Sequence, residues 1–270
     1  MPLEAGGEYV DSSNPGMNDP SIHGTARSLP AQGIKIELMP HQLATSKIVL
    51  IFPLRDERHV STNRSEVEMS YIYTVLASMG DAKKFGDAGA SWAGDRLKSH
   101  GATSSTASQI VMGGEMSGMV IVAFEFDSVD AAMSGQSAIY QDADLVALMQ
   151  DAQVQVQRRN LFRVQAERGT RTGQFGSVLY MAGSPVDDST MDKNLDLNWS
   201  HIQNGANGIT WMQSVASGPA PFSATVATWT DSLDSLMAAS ASNFADPAVQ
   251  KIMAETKAQV LGRVLTRRLY

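Results

Sequence analysis

The sequence has no cysteine, and this absence excludes disulfide bonds, thiolate nucleophiles and metal sites built on cysteine. It also lacks any apolar run approaching the roughly 18 residues that span a membrane. The first residues contain neither the basic nor the apolar segment of a secretion signal. We therefore expect a soluble, cytoplasmic protein.

Basic residues are in the minority, with 21 Lys and Arg against 28 Asp and Glu and a formal net charge of −7. Nucleic acids and anionic membranes are bound mainly by clustered basic side chains. We therefore expect neither as a partner. Hydrophobic residues make up 43% of the 270 residues, which is enough to bury the core of one large or two ordinary domains.

Histidine is also sparse, which limits the chemistry available to the chain. The five histidines are His23, His41, His59, His100 and His201. No two of them have the spacing of a metal site, and none lies beside a Ser and Asp in the pattern of a catalytic triad. We therefore expect no metal centre and no triad hydrolase.

Residues 1–65 are predicted to be an N-terminal arm. Residues 1–33 are rich in Gly, Ser, Asn and Pro and show no helical or strand period. Residues 34–38 and 47–52 each have a strand pattern, and neither has a counterpart in the second half of the chain. Such strands need a sheet edge, so the arm is expected to cover one or to reach another subunit. The alternative is a disordered tail followed by one covering strand.

The most informative feature is a stretch that occurs twice. Residues 122–133 return as residues 226–237, and both copies have the pattern of an apolar strand running into a capped helix. Over residues 101–163, compared without gaps with the segment 104 positions later, 19 of 63 positions are identical. The matches include Gln109 with Gln213 and Asp142 with Asp246. Chance gives only a few identities, so the chain contains a duplicated unit.

Each copy is predicted to run strand, helix, β-hairpin, two helices, strand, over residues 66–172 and then 173–270. In the first copy, the first helix is predicted at residues 81–99 and the last strand at residues 154–164. Asp127 and Asp142 are expected to cap the two helices that follow the first hairpin. This βαββαβ order is ferredoxin-like: an antiparallel sheet with helices on one face. The predicted fold class is therefore α+β, with two tandem ferredoxin-like repeats that cover each other's open sheet faces.

The strand-to-helix segment 124–128, the first helix with Trp92 and the Gly113-Gly114 hairpin resemble the dimeric α+β barrel superfamily. That superfamily includes antibiotic-biosynthesis-type monooxygenases and EthD-like and NIPSNAP-like proteins. The resemblance covers residues 66–270 and implies an intramolecular pseudo-dimer whose sheets form a barrel. It also implies a site between sheet and helices for a small, often aromatic molecule, or for haem.

Polar and aromatic residues on the predicted strands are the candidate site. On the third predicted strand, one face is expected to form the helix-covered core, with Val120, Val122, Phe124 and Phe126. Glu125 points to the opposite face, and its equivalent in the second copy is Trp229. Gln109 and Gln213 match, and Trp211 shares a face with Gln213. These groups could orient a ligand in an apolar cavity. The alternative is that the glutamines pair between sheets and the tryptophans are packing residues, and Tyr73 and Tyr180 have the same two interpretations.

Arginines recur near the end of each copy, in the paired Arg-x-Leu-x-Arg segments. Arg163 and Arg267 are substrate-binding candidates, because pseudo-symmetric arginines, together with Arg159 and Arg263, could hold a carboxylate or phenolate by charge-assisted hydrogen bonds. The alternative is that they are solvent-facing strand ends balanced by acids.

His201 is the candidate haem ligand or general base, because it lies on the same predicted helix as Trp199 and some members of the superfamily bind haem. The alternative is an ordinary surface histidine. We expect no cofactor, with haem as the alternative.

These features predict a small-molecule-binding barrel: a cofactor-independent monooxygenase, isomerase or cyclase acting on a hydrophobic or phenolic substrate. The catalytic candidates are Glu125, Gln213, Tyr180 and His201; the substrate-binding candidates are Tyr73, Gln109, Trp211, Trp229, Arg163 and Arg267. Glu125 is expected to act as general base if burial raises its pKa. The alternative is a non-enzymatic scaffold or assembly subunit whose arm contacts neighbouring chains and forms a homo-oligomer.

Overall fold

A computed structural model describes residues 69–270, and the predicted N-terminal arm lies outside these residues. The first repeat comprises β1 (Tyr71–Ser78), α1 (Ala82–Ala88), a π-helical turn (Gly89–Ala93), α2 (Gly94–Ser99), β2 (Ser104–Met112), a 3-10 turn (Gly114–Met116), β3 (Val120–Phe126), α3 (Val129–Gln141), α4 (Ala143–Asp151) and β4 (Gln155–Gly169). The second repeat comprises β5 (Phe175–Ala182), α5 (Asp188–Ile202), β6 (Gly208–Ala216), β7 (Ala224–Thr230), α6 (Leu233–Ala245), α7 (Pro247–Glu255) and β8 (Gln259–Arg268).

The strands of residues 69–270 form one closed antiparallel barrel in the order β1-β3-β2-β8-β5-β7-β6-β4. Each repeat keeps the ferredoxin-like order within it, β4-β1-β3-β2 and β8-β5-β7-β6. The two sheets join along β2–β8 and β4–β6, where Gln109 is opposite Arg267 and Arg163 is opposite Gln213. The chain therefore has the dimeric α+β barrel fold, with both halves supplied by one polypeptide, which confirms the predicted fold class.

Alternation along the strands sorts the apolar side chains into separate cores. On β3, Val120, Val122, Phe124 and Phe126 are buried and pack in the sheet–helix core of the first repeat, as predicted. The second repeat has its own sheet–helix core, which includes Leu195, Val226 and Leu236. A third cluster, with Ile72, Phe162 and Met212, occupies part of the barrel interior.

Capping residues set the starts of the helices after each hairpin. The prediction that Asp127 caps α3 is wrong: the helix starts at Val129, and Ser128 is the N-cap residue whose side chain accepts a hydrogen bond from the Ala131 amide. Asp142 and Asp246 do cap α4 and α7, as the duplicated pattern predicts. Along residues 69–270, none of the helices combines the length and the apolar character needed to cross a membrane.

Strand β4 is longer than the predicted strand at 154–164. Its first part pairs with β1, and its continuation to Gly169 pairs with β6 of the second repeat. The extra length therefore comes from the pairing that joins the two sheets. The local sequence pattern does not show this pairing. The predicted single helix at 81–99 is likewise divided, because a π-helical turn at Gly89–Ala93 separates α1 from α2.

Candidate functional site in the second repeat

Two cavities in the described part of the chain lie on opposite faces of the second repeat's sheet. The first, here called the sheet–helix cavity, has a volume of about 130 Å³ and lies between β5, β6, β7 and β8 and the helices α5, α6 and α7. The second, the barrel cavity, has a volume of about 670 Å³ and lies inside the closed barrel. Ser177 and Thr228 border both cavities.

The sheet–helix cavity has a mainly apolar wall with a few polar groups. Its apolar lining includes Leu179, Met191, Leu195, Trp211, Val226, Leu236 and Phe244. Its polar lining includes Gln213, Asn194, Asn198, Ser240, Asn243 and Arg263. An apolar cavity with a small number of polar groups is typical of a site for a small molecule.

Small side chains at two positions leave this cavity open. Ser177 on β5 is opposite Thr228 on β7, and the equivalent residues of the first repeat, Tyr73 on β1 and Phe124 on β3, are also opposite each other. The Tyr73 and Phe124 rings stack with centroids 5.8 Å apart and fill the sheet–helix core of the first repeat. The second repeat has no aromatic ring at either position, so the corresponding space remains.

A buried asparagine also distinguishes the second repeat. Asn243 on α6 is 4% exposed, and its equivalent in the first repeat is the apolar core residue Ile139. The Asn243 amide donates to Oδ1 of Asn198 at 2.9 Å, and the Asn198 amide donates to the carbonyl of Asn194 at 2.7 Å. Among the residues that the structure describes, Oδ1 of Asn243 has no hydrogen-bond partner.

The direction of this chain of amides follows from its last acceptor. A backbone carbonyl can only accept, so Asn198 must donate to Asn194 through its amide nitrogen and keep its oxygen for Asn243. Asn243 therefore turns its nitrogen toward Asn198 and leaves its oxygen unpaired. A buried oxygen without a donor is unfavourable by about 1–3 kcal/mol, and a ligand carrying an O–H or N–H group could remove that cost.

Arg263 is the cation at this cavity. Its guanidinium donates to the hydroxyl of Ser240 at 2.6 Å and to the sulfur of Met237 at 2.9 Å. Both acceptors are neutral, and burial lowers the pKa of Arg263, although an arginine stays charged in a protein. Among the described residues that line the cavity, Arg263 is the only one with a titratable side chain.

The barrel cavity has a charged network at one end. Arg171 donates to Glu125 Oε2 at 2.8 Å and also binds Glu167, which accepts from Thr210 as well. Burial opposes ionisation of Glu125, but the charge and hydrogen bonds of Arg171, together with hydrogen bonds from Ser70 and Ser104, lower its pKa below the ordinary value. The condition set for Glu125 as a general base, a raised pKa, is therefore not met.

The structure divides the predicted site residues between separate places. Trp211 and Gln213 line the sheet–helix cavity, as expected from their shared strand face. Glu125, Tyr180 and Trp229 line the barrel cavity instead, and burial raises the pKa of Tyr180. The candidates therefore do not form one cluster.

The remaining tyrosine and glutamine candidates lie outside both sites. Tyr73 is part of the first repeat's core, where burial raises its pKa to about 12. Gln109 donates to the carbonyl of Gly118 at 3.2 Å beside the first hairpin, and it lines neither cavity.

The two predicted arginines do not meet at a common anion site. Arg163 binds both carboxylate oxygens of Asp188 at 2.7 Å and also donates to Gln213 at 3.1 Å, so its charge is already compensated. Arg267 is exposed on β8 and lines neither cavity. Arg263, on the same strand, lines the sheet–helix cavity.

Histidine does not reach either cavity in residues 69–270. Nε2 of His201 is 2.8 Å from Asp246 Oδ2, and Nε2 of His100 is 2.7 Å from Asp142 Oδ2, so both rings contact the capping aspartate of a helix. Within the same residues, no group of three or more His, Asp and Glu side chains is placed to hold a metal ion. The described side chains therefore do not fit a histidine-ligated haem in either cavity.

Several residues of the sheet–helix cavity were missed by reasoning from the sequence: Ser177, Asn194, Asn198, Thr228, Ser240 and Asn243. The usable signal lay in the duplication itself. At the 104-residue spacing, an aromatic or branched apolar residue is replaced by a small or polar one at Tyr73/Ser177, Phe124/Thr228 and Ile139/Asn243. Polar replacements at core positions of one copy indicate a site in that copy.

No protein-family model matches the chain, and no curated protein matches it. Among solved structures, it is similar to an anthrone oxidase-like protein, with 11% identity over 76% of this chain and 93% of that one and a TM-score of 0.45. It is similar to a mutant chlorite dismutase from Candidatus Nitrospira defluvii, with 6% identity, coverage of 74% and 91%, and a TM-score of 0.45. It is also similar to a protein assigned as a monooxygenase from Fusobacterium nucleatum, with 8% identity, coverage of 75% and 92%, and a TM-score of 0.46. These likenesses are distant, and the fold assignment rests on the strand order of this chain.

The prediction that the protein has no cofactor is wrong as an inference from this fold. The solved structures similar to the chain include chlorite dismutases, which are haem-binding proteins. The fold therefore gives no ground for expecting that a cofactor is absent.

Proposed function

We propose that the protein binds a small, mainly apolar molecule in the sheet–helix cavity of the second repeat. The observation that carries this proposal is the replacement of the stacked pair Tyr73 and Phe124 by Ser177 and Thr228, which leaves a cavity where the first repeat has a filled core. Trp211 and Gln213 would contact the ligand from β6. The register of β1 with β3 matches that of β5 with β7, so at these two positions the repeats differ in their side chains and not in their strand pairing.

The volume of the cavity limits the size of the ligand. An engineered cavity of about 150 Å³ in another protein binds benzene, so the sheet–helix cavity, at about 130 Å³, suits one aromatic ring or an apolar group of similar size. Left empty, a cavity of this volume lowers stability by on the order of 3 kcal/mol. A bound ligand would recover part of that loss.

The chemistry of the lining bears on the predicted reactions, which were oxygenation, isomerisation and cyclisation of a phenolic substrate. Proton transfer by the protein needs a carboxylate, histidine, tyrosine or lysine near the reacting atom. None of these types lines the sheet–helix cavity within residues 69–270. The geometry therefore supports binding and orientation of the substrate more directly than acid–base catalysis by these side chains.

Binding can be tested with single-ring probes such as toluene and 4-nitroanisole, measured by calorimetry and by the increase in Tm that ligand binding produces. The Ser177→Tyr variant restores the ring of the first repeat and should abolish binding while the protein remains folded. The matched control is Ile121→Trp, which adds a ring to the barrel cavity and does not touch the sheet–helix cavity. Binding should survive this control.

Two results would contradict the proposal. One is the absence of binding by any single-ring probe to the wild-type protein. The other is the reverse pattern, in which Ile121→Trp abolishes binding and Ser177→Tyr preserves it, because this would place the ligand inside the barrel.

A further inference from the structure

The equivalent arginines of the two repeats have different partners. In the first repeat, Arg159 on β4 donates to the hydroxyl of Tyr140 at 3.0 Å, and its guanidinium lies 5.2 Å from the centre of the Tyr140 ring. At the 104-residue spacing, Arg263 replaces Arg159 and Phe244 replaces Tyr140. The second repeat has therefore lost the phenol that receives the arginine.

Arg263 faces the sheet–helix cavity without an acidic partner among the described residues. Ser240 and Met237, its two acceptors, are both neutral, and the ion pairs of residues 69–270 do not include it. The nearby Arg163 provides a contrast, because its guanidinium is held by both oxygens of Asp188. A partly buried guanidinium with only neutral acceptors is a favourable partner for an anion.

Asn243 supplies a second polar group on the same side of α6. Ser240, which holds Arg263, and Asn243 are three positions apart, so their side chains are neighbours on the helix surface. The unpaired Oδ1 of Asn243 is an acceptor, whereas the guanidinium of Arg263 is a donor with positive charge. One molecule with an anionic oxygen and a nearby hydroxyl could satisfy both groups.

We propose that the ligand of the sheet–helix cavity is a single-ring or similarly small apolar molecule that binds as an oxyanion, such as a phenolate, an enolate or a carboxylate, with its charge compensated by Arg263. A hydroxyl next to the oxyanion donates to Oδ1 of Asn243. This inference rests on the proposed binding function and adds the charge state and polar groups of the ligand. A phenolate or enolate held in this way is an electron-rich form of the molecule.

The test compares 4-nitrophenol, which ionises, with 4-nitroanisole, which has the same ring and cannot ionise. The visible absorption of the phenolate reports the pKa of the bound probe directly. In the wild-type protein, the pKa of bound 4-nitrophenol should fall by about one unit or more, which is a tenfold or larger preference for the phenolate. At a pH at which the free probe is ionised, it should bind at least about tenfold more tightly than 4-nitroanisole.

Three variants separate the role of Arg263 from an effect on folding. Arg263→Met should remove the preference for the phenolate and leave binding of 4-nitroanisole within about twofold, while Arg263→Lys should retain part of the preference because the charge remains. The matched control is Arg159→Met, the equivalent substitution in the first repeat, which should leave both affinities unchanged. Thermal unfolding of each variant shows whether it is folded.

The outcomes distinguish this inference from the proposed function. If both probes bind the wild-type protein with equal affinity, or if Arg263→Met and Arg263→Lys both retain the full preference for the phenolate, the oxyanion inference is overturned and the binding site stands. If neither probe binds, the proposed function itself fails. A preference lost in Arg263→Met and kept in Arg159→Met supports the inference.

Discussion

In the first repeat, the stacked rings of Tyr73 and Phe124 fill the space between sheet and helices, whereas the second repeat has Ser177 and Thr228 at these positions and a cavity of about 130 Å³. The strand order and the registers are the same in both repeats. A duplicated unit within one chain can therefore keep one copy as a well-packed core and place polar groups in the other. The comparison indicates that function should be sought where equivalent positions differ in size and polarity.

The largest expected effect comes from exchanging the residues that distinguish the two cores. Phe124→Thr gives the first repeat the residue of the second and should lower the free energy of unfolding by about 3–5 kcal/mol, because it opens a cavity in a packed core. Thr228→Phe makes the opposite exchange and should lower the free energy of unfolding by less than half as much, because the new ring fills space that is already empty. Urea unfolding of both variants measures the difference, and equal losses would contradict the comparison.

The next largest effect is expected at the ion pairs that Arg171 makes with Glu125 and Glu167. In the second repeat, the position equivalent to Glu125 is the uncharged Trp229. Arg171→Met leaves the carboxylates of Glu125 and Glu167 without their cation and should destabilise the protein by roughly 3 kcal/mol at neutral pH. Glu125 has a lowered pKa in the folded protein, so its contribution is present above the unfolded pKa and lost as pH falls through the folded pKa. The difference in Tm between wild type and Arg171→Met should therefore shrink on acidification, and a difference independent of pH would argue against this pairing.

A smaller effect distinguishes the capping aspartates of the two repeats. Asp142 binds both Arg96 and His100, while its equivalent Asp246 binds His201. Asp142→Asn should therefore lower the Tm at neutral pH more than Asp246→Asn does. Hydrogen bonds lower the pKa of both aspartates, chiefly the one from the Arg96 side chain for Asp142 and the one from the Ala248 amide for Asp246. The loss of Tm in each variant should therefore be smaller at acidic pH. Equal Tm losses for the two variants would show that the Arg96 contact adds nothing.

The smallest effect on stability is expected at Asn243. Asn243→Ile introduces the residue of the first repeat and removes a buried oxygen without a partner, but it also removes the hydrogen bond to Oδ1 of Asn198. These two effects oppose each other, so the Tm should change little. The variant should lose affinity for 4-nitrocatechol, whose second hydroxyl can donate to Oδ1 of Asn243, and keep its affinity for 4-nitrophenol. An equal loss for both probes would remove the proposed contact between ligand hydroxyl and Asn243.

The fold was largely predictable from the sequence because its information is local and repeated. The alternation of Val120, Val122, Phe124 and Phe126 and the segment that recurs after 104 residues were enough to predict two ferredoxin-like units. The length of β4 was not predictable, because its last residues are held by pairing with β6 and not by their own pattern.

The candidate site was predictable only in part, since contacts between distant segments decide it. Trp211 and Gln213 were placed correctly on one strand face and line the sheet–helix cavity. The pairing of Glu125 with Arg171, 46 positions away, reverses the expected direction of the Glu125 pKa, and no local pattern reveals that contact. For Arg163 the sequence left two interpretations, a ligand contact or a balancing acid, and the contact with Asp188 at the start of α5 depends on a residue 25 positions away.

The central claim is that the ligand binds in the second repeat, in the space that Tyr73 and Phe124 fill in the first. A crystal structure of the protein soaked with 4-nitrophenol tests it most directly. The account predicts the ring between β5, β7 and α6, with the phenolate oxygen at the guanidinium of Arg263. A ring inside the barrel beside Glu125 and Trp229, or in the first repeat, would contradict it.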